Sequence, residues 1–141
     1  MLLADYLKKD VNQESEFTYA IKNIVANRGL SRVFITGQSL GGAVATVFFM
    51  SAYEYLSSFG IDLRCVTFDC PRLTSPQDLP LVPAYVKACI LNILDENISS
   101  NDLAVELLSR ESFVYVGSVI SVDELRKSEM SKLSGALSAR N

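Results

Sequence analysis

Between Asn12 and Asn27 the apolar residues Phe17, Ala20, Ile21, Ile24 and Val25 recur three and four positions apart, with Glu14, Glu16, Lys22 and Asn23 on the opposite side. That spacing predicts an amphipathic helix, closed by a left-handed Gly29 within Arg28–Ser31. Arg32–Thr36 then reads as a short, fully buried strand. From Ala43 to Ser58 the chain is apolar on nearly every face, which predicts a helix buried on several sides. Leu63–Phe68 is a second strand, reached through that helix at the spacing of a right-handed parallel crossover.

Pro76, Pro80 and Pro83 mark a surface loop. Beyond it, Tyr85–Leu94 and Phe113–Val116 read as the third and fourth strands, with a short capped helix at Asn101–Ser109 between them. Ser118–Val122 follows Gly117 so closely that it either bends into a hairpin or continues as an edge strand. Residues 124–141 form a polar, Ser-rich and weakly helical C-terminal tail. The pattern is that of one α/β domain over residues 1–141, with a mostly parallel sheet of about four to five strands and flanking helices. There is no internal repeat.

Composition supports a packed core: 49% of the 141 residues are hydrophobic. The net charge of -3, with no basic stripe, argues against nucleic acid as a partner. No apolar stretch is long enough to cross a bilayer, and Met1–Ala4 meets charge too soon to be a signal peptide. Cys65, Cys70 and Cys89 are odd in number and unpaired in spacing, so they read as free thiols of a soluble cytoplasmic protein. The count that restricts chemistry most is histidine, of which there is none. No imidazole is present to act as base, proton shuttle or metal ligand, and neither a metal site nor a cofactor is expected.

Gly37-Gln38-Ser39-Leu40-Gly41 matches the G-x-S-x-G nucleophile elbow and lies where that motif belongs, between a strand and a helix. Such a turn strains the serine and projects its Oγ out of the sheet. Gly37 and Gly41 are expected to avoid collisions that a Cβ would cause, and Gly42 to let the helix pack closely on the strands. The Leu40 N–H, at the positive end of the helix, is placed to meet an oxyanion. A plain Gly-rich turn is the alternative; the phosphate-binding forms lack their required Lys-Ser/Thr pair or glycine spacing.

The segment Val33–Ala45 resembles the nucleophile segment of the class 3, or fungal-type, triacylglycerol lipases of the α/β-hydrolase superfamily. Those proteins usually carry His where Gln38 stands, but not as the catalytic base. Val66–Arg72 is similar to the family's Thr-Phe-Gly-x-Pro-Arg segment, with Asp69 in place of Gly. Leu91–Asp95 resembles the strand ending in Asn-x-x-Asp, which makes Asp95 the triad acid by analogy. Phe113–Gly117 is similar to a Tyr-x-His-x-Gly strand, with Tyr115 at the His-like position.

The resemblance implies a partial α/β-hydrolase fold, with catalytic Ser39 and Asp95, oxyanion donor Leu40, and an elbow of Gly37, Gln38, Gly41 and Gly42. It implies ester or acylglycerol substrates. It also exposes departures. Glu96 to Ser99 replace the Val-Pro that follows the family's acid, and the family's early strands would precede Phe17, where only 16 residues stand. The catalytic His is missing, and losing the base lowers turnover by about 10⁶. Three readings stay open: a lipase-like serine hydrolase homologue inert or nearly so alone, a pseudoenzyme serving as an interaction or lipid-binding module, and an unrelated α/β domain that carries Gly37–Gly42 by chance, which the matched order of the further segments disfavours. Arg32–Thr36 would lie at a sheet edge unless Met1–Val11 or another chain covers it, so a homo-oligomer or a completing partner chain is expected.

Overall fold

The structure, a computed structural model, describes residues 16–95 and 113–139. Helix α1 (Glu16–Arg28) ends as its spacing predicts. Gly29 takes φ 62°, and the Leu30 amide donates to the Val25 carbonyl at 3.0 Å, satisfying an acceptor at the helix end. Strand β1 (Arg32–Gln38) then leads into helix α2 (Leu40–Ser57) and strand β2 (Asp62–Phe68). Strands β3 (Ile90–Leu94) and β4 (Ser118–Ser121) follow, and helix α3 (Val122–Ser138) closes the order. The strands pair as β1-β2-β3-β4, every neighbour parallel. This is the expected α/β class, a four-stranded parallel sheet with flanking helices, consistent with a partial α/β-hydrolase fold.

The core occupies one face of the sheet. Leu63 and Cys65 of β2 and Ile90 of β3 meet Ala45, Phe49, Ala52 and Leu56 of α2, with Val25 of α1 at the margin. Phe49 and Leu56 lose all contact with solvent, each burial contributing about 2–3 kcal/mol. Among the polar residues buried with it, Thr67 and Asn92 bond to each other across the strands. The Thr67 hydroxyl donates to Asn92 Oδ1 at 2.7 Å, while Asn92 Nδ2 donates to the carbonyls of Val116 (2.7 Å) and Ser118 (3.2 Å). Asn92 therefore ties β2, β3 and the approach to β4 together.

Several elements differ from the sequence reading. Strand β1 is not fully buried: it is an edge strand of the described sheet, and its residues alternate between exposed and half-buried. In Tyr85–Leu94 only Ile90–Leu94 is strand; Ala84–Lys87 is a helical turn started by Pro83, whose carbonyl accepts the Val86 and Lys87 amides. A continuous apolar run does not by itself separate strand from buried turn. Phe113–Val116 is not a strand either, for Val114 makes one antiparallel bridge with Thr74. Gly117 at φ 87° then turns the chain into β4; a Cβ there would stand 2.5 Å from the Ile90 carbonyl oxygen.

Of the two outcomes for Ser118–Val122, edge strand is the one observed, with β4 pairing parallel to β3. Over its described part, 124–139, the tail is more regular than weakly helical. Helix α3 runs to Ser138 and opens with a capping box, Ser121 Oγ accepting from the Glu124 amide and Glu124 accepting from the Ser121 amide. The segments Met1–Val11 and Asn101–Ser109 lie outside the described residues.

The second face of the sheet carries Phe34, Val66, Phe68, Leu91, Ile93 and Ile120 towards its C-terminal edge and the ion-paired Arg32, Asp62 and Arg64 at the other end, brought into register by the strand pairing. The residues of α1 and α2 that join the core cluster, among them Val25, Ala45, Phe49, Ala52 and Leu56, lie on the other side. Phe34 and Phe68 are 57% and 43% exposed.

Candidate active site

Ser39 sits at the junction of β1 and α2 with φ 52° and ψ -123°. For a residue with a Cβ this backbone conformation is sparsely populated and costs about 1–3 kcal/mol. It persists because its surroundings fix it: the Ser39 amide donates to the Phe68 carbonyl at 2.9 Å, and the Ser39 carbonyl accepts from Gly42 at 2.9 Å and Ala43 at 3.3 Å. The Ser39 side chain makes no capping bond to the helix it precedes. Leu40 is the first residue of α2, so its N–H belongs to the positively polarised first turn.

The glycines have different roles. A Cβ on Gly37 would drive into the Gly41 carbonyl, and one on Gly42 would stand 2.9 Å from Cys70 Cβ. Both positions require the missing side chain: Gly37 to close the elbow, Gly42 to seat α2 against the end of β2. Gly41 does not, because nothing lies within 4 Å of a Cβ built there. The expectation that Gly41 relieves a collision is thus corrected. Gln38, the last residue of β1, is exposed.

The parallel register brings the ends of three strands level: Gln38 pairs with Phe68, and Phe68 with Ile93. Ser39, Asp69 and Asp95 consequently gather along the C-terminal edge of the sheet, where ligands of open α/β sheets bind. Two strand spacings separate the chains carrying Ser39 and Asp95, about 10 Å. Between them stands Asp69, a residue that sequence reasoning did not single out as functional. It is buried, at φ 50°, its amide donates to the Ile93 carbonyl at 2.9 Å, and its Oδ1 accepts the Asp95 amide at 2.7 Å. Asp69 thereby fixes the backbone of Asp95. The available signal was its place in the Thr-Phe-Gly-x-Pro-Arg pattern, since Asp is among the few residues besides Gly that adopt this conformation.

Asn92 is the second residue whose importance the sequence concealed, since its position in a strand gave no sign of the carbonyls it gathers. Tyr115 lies beneath Arg72, whose guanidinium carbon stands 5.7 Å from its ring centre. Burial pushes the thiols of Cys65 and Cys70 up to about 11, so both remain protonated near neutrality. Cys65, Cys70 and the half-buried Cys89 are free thiols, as expected. Among the described residues no group of three or more Cys, Asp and Glu side chains is placed to hold a metal ion. No described helix is long and apolar enough to cross a membrane.

A family model described as Lipase (class 3) matches residues 3–83, more than half of the chain. The matched stretch contains the elbow and Asp69 and ends before β3, so Asp95 falls beyond it. Searches of curated proteins and of solved structures each found no match.

Proposed function

As the chain belongs to the class 3 lipase family, we propose that it is a lipase-like serine hydrolase homologue whose Ser39 is built to attack a carboxylic ester, and which by itself turns over little or no substrate. The observation that carries this reading is the strained Ser39 at the strand-to-helix elbow, φ 52° with Gly37 closed on Gly41. In the reaction Ser39 Oγ bonds to the ester carbon, its proton passes to a base, and the alcohol leaves with a proton. Water then releases the acid from the acyl-serine. The Leu40 N–H meets the oxyanion, and Asp95, held by Asp69, is positioned to orient a base across the strand ends. The chain contains no histidine to fill that gap.

The test separates nucleophile from base. The purified chain is treated with a fluorophosphonate probe, alone and with added imidazole, and labelling at Ser39 is read by mass spectrometry against Ser39→Ala. Little label alone and Ser39-dependent label with imidazole are expected, with p-nitrophenyl ester turnover by the chain about 10⁶ below an intact triad. Rapid turnover without imidazole would overturn the inertness. A second reading, favoured by the missing histidine, makes the fold a lipid-binding or interaction module in which Ser39 serves only the turn. Absence of label under every condition would establish that reading over the first.

A further inference from the structure

We propose that the outer edge of β1 is an interface for a second copy of the chain: two β1 strands pair antiparallel about a twofold axis and join their four-stranded sheets into one continuous sheet. The direction of the backbone groups shows what that edge offers. At the two ends of β1, the Asp62 amide donates to the Ser31 carbonyl at 2.8 Å and the Ser39 amide donates to the Phe68 carbonyl at 2.9 Å. Backbone groups alternate sides along a strand, and the register with β2 is unbroken from Arg32 to Gln38, so Val33, Ile35 and Gly37 face β2. The N–H and C=O groups of Arg32, Phe34, Thr36 and Gln38 therefore point outward, and among the described residues no strand pairs with them.

Edge strands that stay single usually carry a proline, a bulge, an outward charge or very few residues. Strand β1 has seven residues, no proline and no bulge. Its one charged residue, Arg32, is held by Asp62 of the neighbouring strand at 2.6 Å. The opposite edge is different in kind: β4 has four residues and passes directly into α3. Of the two edges, β1 is the template for a further strand.

The sequence Arg-Val-Phe-Ile-Thr-Gly-Gln of β1 is complementary to itself. In the antiparallel register that sets Arg32 against Gln38 of the second copy, Phe34 meets Thr36 and Ile35 meets Ile35 on the axis. Every outward N–H and C=O of both strands then finds a partner, whereas a shift of two residues in either direction leaves some unpaired. On one face the half-exposed Phe34 lies against the β-branched Thr36, and Arg32 against the neutral amide of Gln38, so no like charges oppose. On the other face Val33 meets Gly37, which has no side chain to collide. Pairing of seven residues makes an interface below standard size, hence a dissociable dimer, and the twofold closes it at two copies. The same register brings Arg32 of the second copy beside Gln38, the residue before Ser39, so each elbow borders the other chain.

The full chain and Thr36→Pro are compared by sedimentation equilibrium from low micromolar to about 0.5 mM. The Thr36 N–H points outward, so a proline there suits an edge strand and not a central one. A concentration-dependent dimer is expected for the parent. Thr36→Pro should keep its far-UV circular dichroism and dissociate with a constant raised about 100-fold or more. A parent monomeric throughout, as when a segment of the same chain covers β1, or a Thr36→Pro variant as dimeric as the parent, would overturn the proposal. Should Thr36→Pro fail to fold, oxidation of Ile35→Cys and of Val33→Cys decides, each in a Cys89→Ser background. Position 35 faces its own copy in a non-hydrogen-bonded pair with Cα atoms about 4.5 Å apart, within reach of a disulfide. Position 33 stands four residues from its copy, about 14 Å. A disulfide-linked dimer from Ile35→Cys alone is expected; no such dimer, or equal yields from both, would refute the register. Neither readout depends on whether Ser39 is reactive.

Discussion

Gly37 and Gly41 flank Ser39 symmetrically in the sequence and unequally in space. Adding a methyl group at Gly37 pushes it into backbone that cannot retreat without opening the elbow, so Gly37→Ala should cost about 3 kcal/mol or more, a fall of roughly 10 °C in Tm. Gly41→Ala meets open space in the first turn of α2 and should be neutral or stabilising by up to about 1 kcal/mol. Thermal melts of the two variants check the contrast; equal losses would mean that the elbow is not closed as described. At the same scale, Asp69 shows what a motif cannot reveal. Its substitution for Gly reads as a departure from the family pattern, yet in three dimensions its carboxylate holds the amide of Asp95.

Among the elements, β4 is held by its parallel pairing with β3 and, at its approach, by one buried side chain, Asn92. Replacing Asn92 by Leu leaves the Thr67 hydroxyl and the carbonyls of Val116 and Ser118 without their partner. A loss of about 2–4 kcal/mol is expected from chemical denaturation, against about 1 kcal/mol for Thr67→Val, and the double variant should show strong coupling. Additive losses would mean that the two residues act independently. The elements that local pattern identified were those whose cause is local: α1 with its Gly29 cap, and the strand-turn-helix around Ser39. Tyr85–Leu94 was misassigned as continuous strand because Val86 and Ile90 are both buried in the same core, one from a helical turn and one from a strand. Hydrophobicity records burial but not the backbone that achieves it.

For the whole molecule, titration follows from where the core was placed. Cys65 and Cys70 lie in or beside the α2-covered face, and their thiols are raised from 9.0 to about 11 chiefly by burial. Tyr53, desolvated, and Tyr85, bonded to Glu54, are raised as well. A group raised in the folded state stabilises fully below its unfolded value and loses that contribution as pH climbs through the folded one. For the two thiols the window is therefore pH 9 to about 11. Tm should decline across it, the slope should lessen in Cys65→Ala, and iodoacetamide at pH 8.5 should leave both thiols unmodified until denaturant is added. Prompt alkylation of the native chain would contradict this burial. Asp62, lowered by its hydrogen bonds to Arg32 and Arg64, acts in the opposite direction, its contribution fading as pH falls into the acid range.

By itself the sequence determined the α/β class, the strained turn at Ser39 and the lack of an imidazole, because each depends on residue type, short-range periodicity or a fixed local geometry. Tertiary structure alone decided that Asp69 and Asn92 hold the strand ends together, and that the helices joining the core pack against one face of the described sheet. Those outcomes depend on which strands become neighbours and which side of each strand meets a helix, relations between distant residues that no local pattern encodes.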